Sequence, residues 1–142
     1  MITRSASATY EGFGKDGKGT VSTQSGALSD NPYGFNTRFE DVPGTNPEEL
    51  IAAAHASCFT MALSFGLARA GFSDGTLTTR AAVKLDKDGD GFKVSRSDLK
   101  LDAHVPGIEA GRFAEIAADA KANCPISKLL NAAITLEHDL TT

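Results

Sequence analysis

The chain reads as an α+β domain on three grounds. Short β-type runs separated by glycine-rich turns fill its first part. One long alanine-rich helical stretch then follows a strong start signal at Thr45-Asn46-Pro47-Glu48-Glu49. Two alternating runs, further helical pieces and a last alternating run close the chain. At 142 residues, 41% hydrophobic and 23% charged, it is long enough to bury one core, so residues 1–142 are expected to form a single domain. Two cysteines are too few for a disulfide-stapled scaffold. A net charge of −4 gives no electrostatic footprint for nucleic acid. No basic-plus-apolar leader follows Met1. The expectation is a cytoplasmic protein with neither a nucleic-acid nor a membrane partner.

The elements follow in order. Thr3 to Tyr10 alternates small and polar residues, and Gly19 to Thr23 is a short β-type run. Phe35, Thr37 and Phe39 alternate against Asn36 and Arg38, which predicts another strand. Asn46 is then placed as a helix N-cap, Pro47 in the first turn, and Glu48 and Glu49 where the helix dipole favours acids. Apolar and small residues continue to Ala70, and Gly71 is the stop. With few charges before Arg69, this helix is expected to be buried nearly all round. It spans roughly 36 Å, long for the core of so small a domain, and this hints at a partner chain. Thr76 to Leu85 and Phe92 to His104 predict a hairpin about the Asp86–Gly91 turn. Ile108 to Ala122 predicts an amphipathic helix, Pro125 to Leu130 a short one, and Ala133 to Leu140 a final strand.

Three motifs fail on context. Gly12-Phe13-Gly14-Lys15-Asp16-Gly17 fits G-x-G-x-x-G, but a dinucleotide site needs that loop to open a helix, and here Gly19-Thr20-Val21 continues as a strand. Gly19 also stands where a P-loop needs Ser or Thr for magnesium. Asp86-Lys87-Asp88-Gly89-Asp90-Gly91 resembles the start of a calcium loop, but Ser97 occupies the position of the bidentate acid. Turn chemistry explains it better. With three scattered histidines and no CxxC spacing, no metal site is expected. His55 lies three residues before Cys58, close enough on one helix face for a Cys–His hydrolase pair. No carboxylate at local spacing completes a triad, which favours a hydrogen-bonded core histidine.

The cysteines differ in setting. Cys58 sits in the middle of the long helix, where an inert small apolar residue is normal. Cys124 precedes Pro125 at an N-cap position, where free backbone N–H groups stabilise a thiolate. From these features alone, redox chemistry and simple burial both stay open.

Four segments narrow the choice: Pro32-Tyr33-Gly34-Phe35-Asn36-Thr37-Arg38-Phe39, Gly44-Thr45-Asn46-Pro47-Glu48-Glu49-Leu50, Ala53-Ala54-His55-Ala56-Ser57-Cys58-Phe59 and Ala122-Asn123-Cys124-Pro125-Ile126-Ser127. Together they resemble the osmotically inducible protein C family, relatives of the organic hydroperoxide resistance proteins. The resemblance implies an intertwined homodimer whose long central helices are wrapped by antiparallel sheets. It also implies a thiol peroxidase that reduces organic hydroperoxides. Cys58 matches the peroxidatic position, Cys124 the resolving one and Glu48 the glutamate of the motif. Arg38 is the arginine expected beside the thiolate, with Lys15 and Lys18 the other cations offered by the early loop. No bound cofactor is implied; an external dithiol of dihydrolipoyl type would return the electrons.

These residue types suit the chemistry. A thiolate attacks the peroxide oxygen, a guanidinium lowers its pKa and steadies the leaving alkoxide, and a glutamate can hold that guanidinium by a bidentate pair. The sulfenic acid on Cys58 would condense with Cys124 to a disulfide. Ten residues of helix separate Glu48 from Cys58 by about 15 Å along the axis, beyond the reach of one side chain. If both serve one site, Glu48 comes from a partner chain. The rival readings are a Cys58–His55 hydrolase and a dimeric redox sensor that forms the disulfide without turnover.

Overall fold

The computed structural model describes all 142 residues, Met1–Thr142. Along the chain run β1 (Ala6–Glu11), β2 (Lys18–Thr23), β3 (Asn31–Tyr33), α1 (Phe35–Phe39), α2 (Pro47–Arg69), β4 (Thr76–Asp88), β5 (Gly91–His104), α3 (Ala110–Asn123), α4 (Pro125–Leu129) and β6 (Ala133–Thr141). Residues group into two units, Met1–Leu50 and Ile51–Thr142.

In the first unit, β1, β2 and β3 form an antiparallel sheet in that order. The glycine-rich loop between β1 and β2 carries a single 3₁₀ turn, Gly14–Asp16, and runs into a strand, as its context predicts. Gly19 is paired with both Tyr10 and Tyr33, whose rings meet edge-on at 5.9 Å. A Cβ on Gly19 would come within 2.6 Å of the Tyr33 ring, so the position tolerates no side chain.

Phe35–Phe39 is a helix, α1, and not the strand its alternation predicts. The pattern is ambiguous because Phe35 and Phe39 are also four residues apart, which places them on one helical face. Their rings sit 5.1 Å apart. The Gly34 N–H donates to Thr37 Oγ1 at 2.7 Å, and the Arg38 N–H reaches Gly34 O at 3.1 Å, so local bonds close the turn. Asn46 caps α2 as expected, its Oδ1 accepting the Glu49 N–H at 2.8 Å.

The second unit holds the main core. The β4–β5 hairpin turns through Gly89 and Asp90, with Gly89 at φ 61°. β6 pairs with β5 in parallel, so this sheet is mixed and departs from the expected antiparallel pattern. The crossover through α3 and α4 is the connection that a parallel pair requires. Ser97, Leu99, Leu101 and Ala103 alternate inward from β5, and Phe113, Ala117 and Ala120 face them from α3.

The α2 helix adds His55, Phe59, Leu63 and Leu67 to this core, a stripe of i+4 spacing. Its length and composition would allow a membrane crossing, but a stripe anchored by a buried histidine is that of a core helix. The chain does not bury α2 nearly all round, as its composition predicts: Met61 is 62% and Phe65 59% exposed. One sheet and one helix layer can cover one face of a helix, and the rest is left over. The C-terminus closes at Gly71, φ 96°, with Phe72 N–H to Leu67 O and Gly71 N–H to Ala68 O, both 3.0 Å.

Candidate active site

Both cysteines are free thiols in the second unit. Cys58 is placed by the middle of α2. Cys124 is placed by a junction: its N–H ends α3 on Ala120 O at 3.0 Å, and its side chain caps α4. Pro125 sets the backbone of the first α4 turn. The Cys124 Sγ accepts the Ser127 N–H at 3.3 Å, the N-cap role the sequence predicts. The Ile126 N–H of the same turn and the Cys124 side chain both act on the Cys58 thiol. Burial pushes the Cys58 thiol above its ordinary range, the Ile126 N–H pulls it down, and the Cys124 side chain pushes it up again.

Cys58 and Cys124 open onto a cavity of about 680 Å³. Its walls are mostly apolar, with Met61 and Phe65 from α2 and Pro125 and Ile126 from α4; Arg69 and Asp119 supply charge. A hydrocarbon group of modest size fits such a lining.

His55 is fully buried on the same helix. Its Nδ1 lies 2.7 Å from Ser97 Oγ and its Nε2 2.8 Å from Ser127 Oγ. Ser127 Oγ in turn lies 3.1 Å from Cys124 Sγ. Both ring nitrogens are therefore occupied by serines, which leaves neither to activate Cys58 directly and counts against the hydrolase arrangement. Burial holds the imidazole below its ordinary pKa, so the ring is neutral at pH 7.

Arg38 and Glu48 meet in the first unit. Arg38 Nη2 donates to Glu48 Oε1 at 2.6 Å, and Nε donates to Oε1 at 2.9 Å and Oε2 at 3.2 Å, a forked pair. The Arg38 guanidinium also lies 5.4 Å from the Phe39 ring centre, while Lys15 Nζ sits 5.3 Å from that of Phe35. Arg38 is thus the cation held by the predicted glutamate, and Lys15 is held by an aromatic ring. At the calcium-like turn, Asp86 accepts from Ser95 Oγ, and no cluster of metal-ligating side chains forms anywhere in the chain.

The sequence brings forward all four predicted side chains, and the structure groups them as two pairs, Arg38 with Glu48 and Cys58 with Cys124. Sequence reasoning missed Ser97, Ser127 and the Ile126 N–H. A signal existed for Ser97: it sits at an inward position of an otherwise apolar strand face, and a buried hydroxyl there needs a partner.

The family described as OsmC-like protein matches residues 39–139. The chain is 54% identical to "Peroxiredoxin OsmC" of Escherichia coli over 139 residues, which is 98% of this chain and 97% of that protein. Among solved structures it is similar to the OsmC-like protein of unknown function VCA0330 of Vibrio cholerae, with TM-score 0.78 at 19% identity over 98% of this chain and all of that one. It is also similar to the organic hydroperoxide resistance protein OhrB of Bacillus subtilis, with TM-score 0.66 at 27% identity over 96% of this chain and 98% of that one.

Proposed function

For a chain that belongs to the OsmC-like protein family, we propose the work of a thiol peroxidase that reduces organic hydroperoxides to alcohols with two cysteines. The observation that carries this reading is that two free thiols line one apolar cavity, near enough for Cys124 to act on Cys58. The Cys58 thiolate attacks the terminal peroxide oxygen, the O–O bond breaks, and the alkoxide leaves with a proton as the alcohol. Cys58 is left as a sulfenic acid, and Cys124 condenses with it to a disulfide and water. Apolar cavity walls favour an alkyl or aryl peroxide over hydrogen peroxide, which gains nothing from them.

Arg38, oriented by Glu48, supplies the positive charge that holds Cys58 ionised and receives the developing alkoxide. The working form is a homodimer, for two reasons: α2 keeps an apolar face uncovered, and ten residues of unbroken helix separate Glu48 from Cys58. No bound cofactor takes part; a dithiol of dihydrolipoyl type reopens the disulfide, and the reducing cytoplasm is the compartment that suits free thiols.

Mass spectrometry of the reduced protein after one equivalent of cumene hydroperoxide tests this. The expected product has lost two hydrogens as a Cys58–Cys124 disulfide, with Cys58→Ser inert and Cys124→Ser stopping at a trappable sulfenic acid. Sustained turnover with a dithiol separates an enzyme from a sensor. Unchanged masses in the wild type would defeat the reading.

A further inference from the structure

Behind Cys124 lies a line of buried polar groups that peroxide reduction at Cys58 does not use. We propose that Ser127, His55 and Ser97 form a proton relay that deprotonates Cys124 when it closes the disulfide, so that they govern the second chemical step and not the first. This rests on the reading of Cys124 as the resolving cysteine.

The geometry is continuous. Cys124 Sγ to Ser127 Oγ is 3.1 Å, Ser127 Oγ to His55 Nε2 is 2.8 Å, and His55 Nδ1 to Ser97 Oγ is 2.7 Å. All four side chains are buried: His55 and Ser97 fully, Cys124 at 1% and Ser127 at 8% exposure. No buried polar side-chain atom in the chain lacks a partner, so the line is fully satisfied. With Nδ1 protonated, the donors run in one direction: S–H to Ser127 Oγ, Ser127 O–H to Nε2, and Nδ1–H to Ser97 Oγ. Three separate elements, α2, β5 and α4, contribute one group each to the line beyond the sulfur.

The need for such a relay follows from the setting of Cys124. It is the more buried of the two thiols and has no cationic neighbour among its hydrogen-bond partners. As its sulfur attacks the sulfenic sulfur, an S–S bond forms and the S–O bond of Cys58 breaks. Cys124 is oxidised, the sulfenic sulfur is reduced, and hydroxide leaves. The Cys124 proton passes to Ser127 as the Ser127 proton passes to His55 Nε2. The hydroxide takes one proton from solvent and His55 gives one back, so the net products are the disulfide and one water. A neutral imidazole is the form able to accept, and burial favours it at pH 7. Ser127 touches the reacting sulfur; His55 and Ser97 are positioning residues that act through it.

Stopped-flow measurement of the two steps, with a 1,3-diketone to trap the sulfenic acid, tests the relay. In Ser127→Ala and His55→Gln, sulfenic acid forms at the wild-type rate, but the disulfide forms about 10²-fold more slowly, the lower range for general acid–base assistance. Ser127→Thr, which restores the hydroxyl, returns resolution close to wild type. Disulfide formation at the wild-type rate in both first variants would overturn the relay, as would an equal slowing of both steps, the mark of a structural role. A wild-type protein that accumulates sulfenic acid and never closes the disulfide would instead overturn the two-cysteine reading. Should His55→Gln fail to fold, the Ser127 pair decides alone.

Discussion

Cys58 is pulled in opposite directions. Burial and the Cys124 side chain favour its thiol, while the Ile126 N–H favours its thiolate. One backbone dipole against desolvation leaves the thiol winning, so a nucleophile here needs a nearby cation. In the proposed mechanism that cation is Arg38, whose guanidinium plane Glu48 fixes by a forked pair. Arg38→Met is therefore expected to lower kcat/KM for cumene hydroperoxide by about 10²-fold, the usual loss for one charge-stabilising donor. The same substitution moves the pH at which iodoacetamide alkylates Cys58 upward, and an unmoved alkylation profile would remove Arg38 from the site. These four proposed residues stand out in the sequence because each sits in a segment that resembles the family. The roles of Ser97, Ser127 and the Ile126 N–H do not stand out: the two serines meet His55 from 42 and 72 residues away in sequence, and the third is a backbone group that no side chain announces.

Among the elements, α2 was read correctly from its own ends. Asn46, Pro47 and the two glutamates mark the start, and Gly71 marks the stop, because capping chemistry is local. Failure came with α1, where five residues satisfy a period of two and an i, i+4 pair equally well, and backbone bonds from Gly34 decide between them. The parallel placement of β6 was equally out of reach, for alternation fixes which face is inward and says nothing about direction. Gly71 offers a clean test of the α2 stop: its φ is 96°, yet a Cβ there would meet nothing within 4 Å. The cost of Gly71→Ala is thus backbone strain alone, about 1 kcal/mol. Thermal unfolding should show a lower Tm for Gly71→Ala and a smaller loss for Gly71→Asn, whose side chain tolerates left-handed backbone better.

Stability and assembly belong to the whole molecule. Burial depresses the His55 pKa in the folded chain, so the unfolded chain binds its proton first as pH falls. The contribution is complete above the unfolded value of 6.5 and is lost as pH drops below it toward the folded value. Denaturant melts between pH 7 and 5 should show this loss in the wild type and a flatter profile in His55→Gln. Asp98, held at about 2 from 3.8 chiefly by its hydrogen bond from Arg96, adds a second loss between those two values, which Asp98→Asn removes. Assembly has a sharper test, which follows from helix length. If the Arg38–Glu48 pair of one chain serves Cys58 of another, Cys58→Ser chains are inactive alone and Arg38→Met chains nearly so, but the two complement each other when mixed. A mixed dimer then joins the arginine of the first variant to the cysteine of the second in one complete site, with the other site doubly defective. Random exchange makes half the dimers mixed, so an equimolar mixture recovers about a quarter of the wild-type rate. If each chain completed its own site, no site in the mixture would hold both an arginine and a cysteine, and the mixture would stay as inactive as its parts.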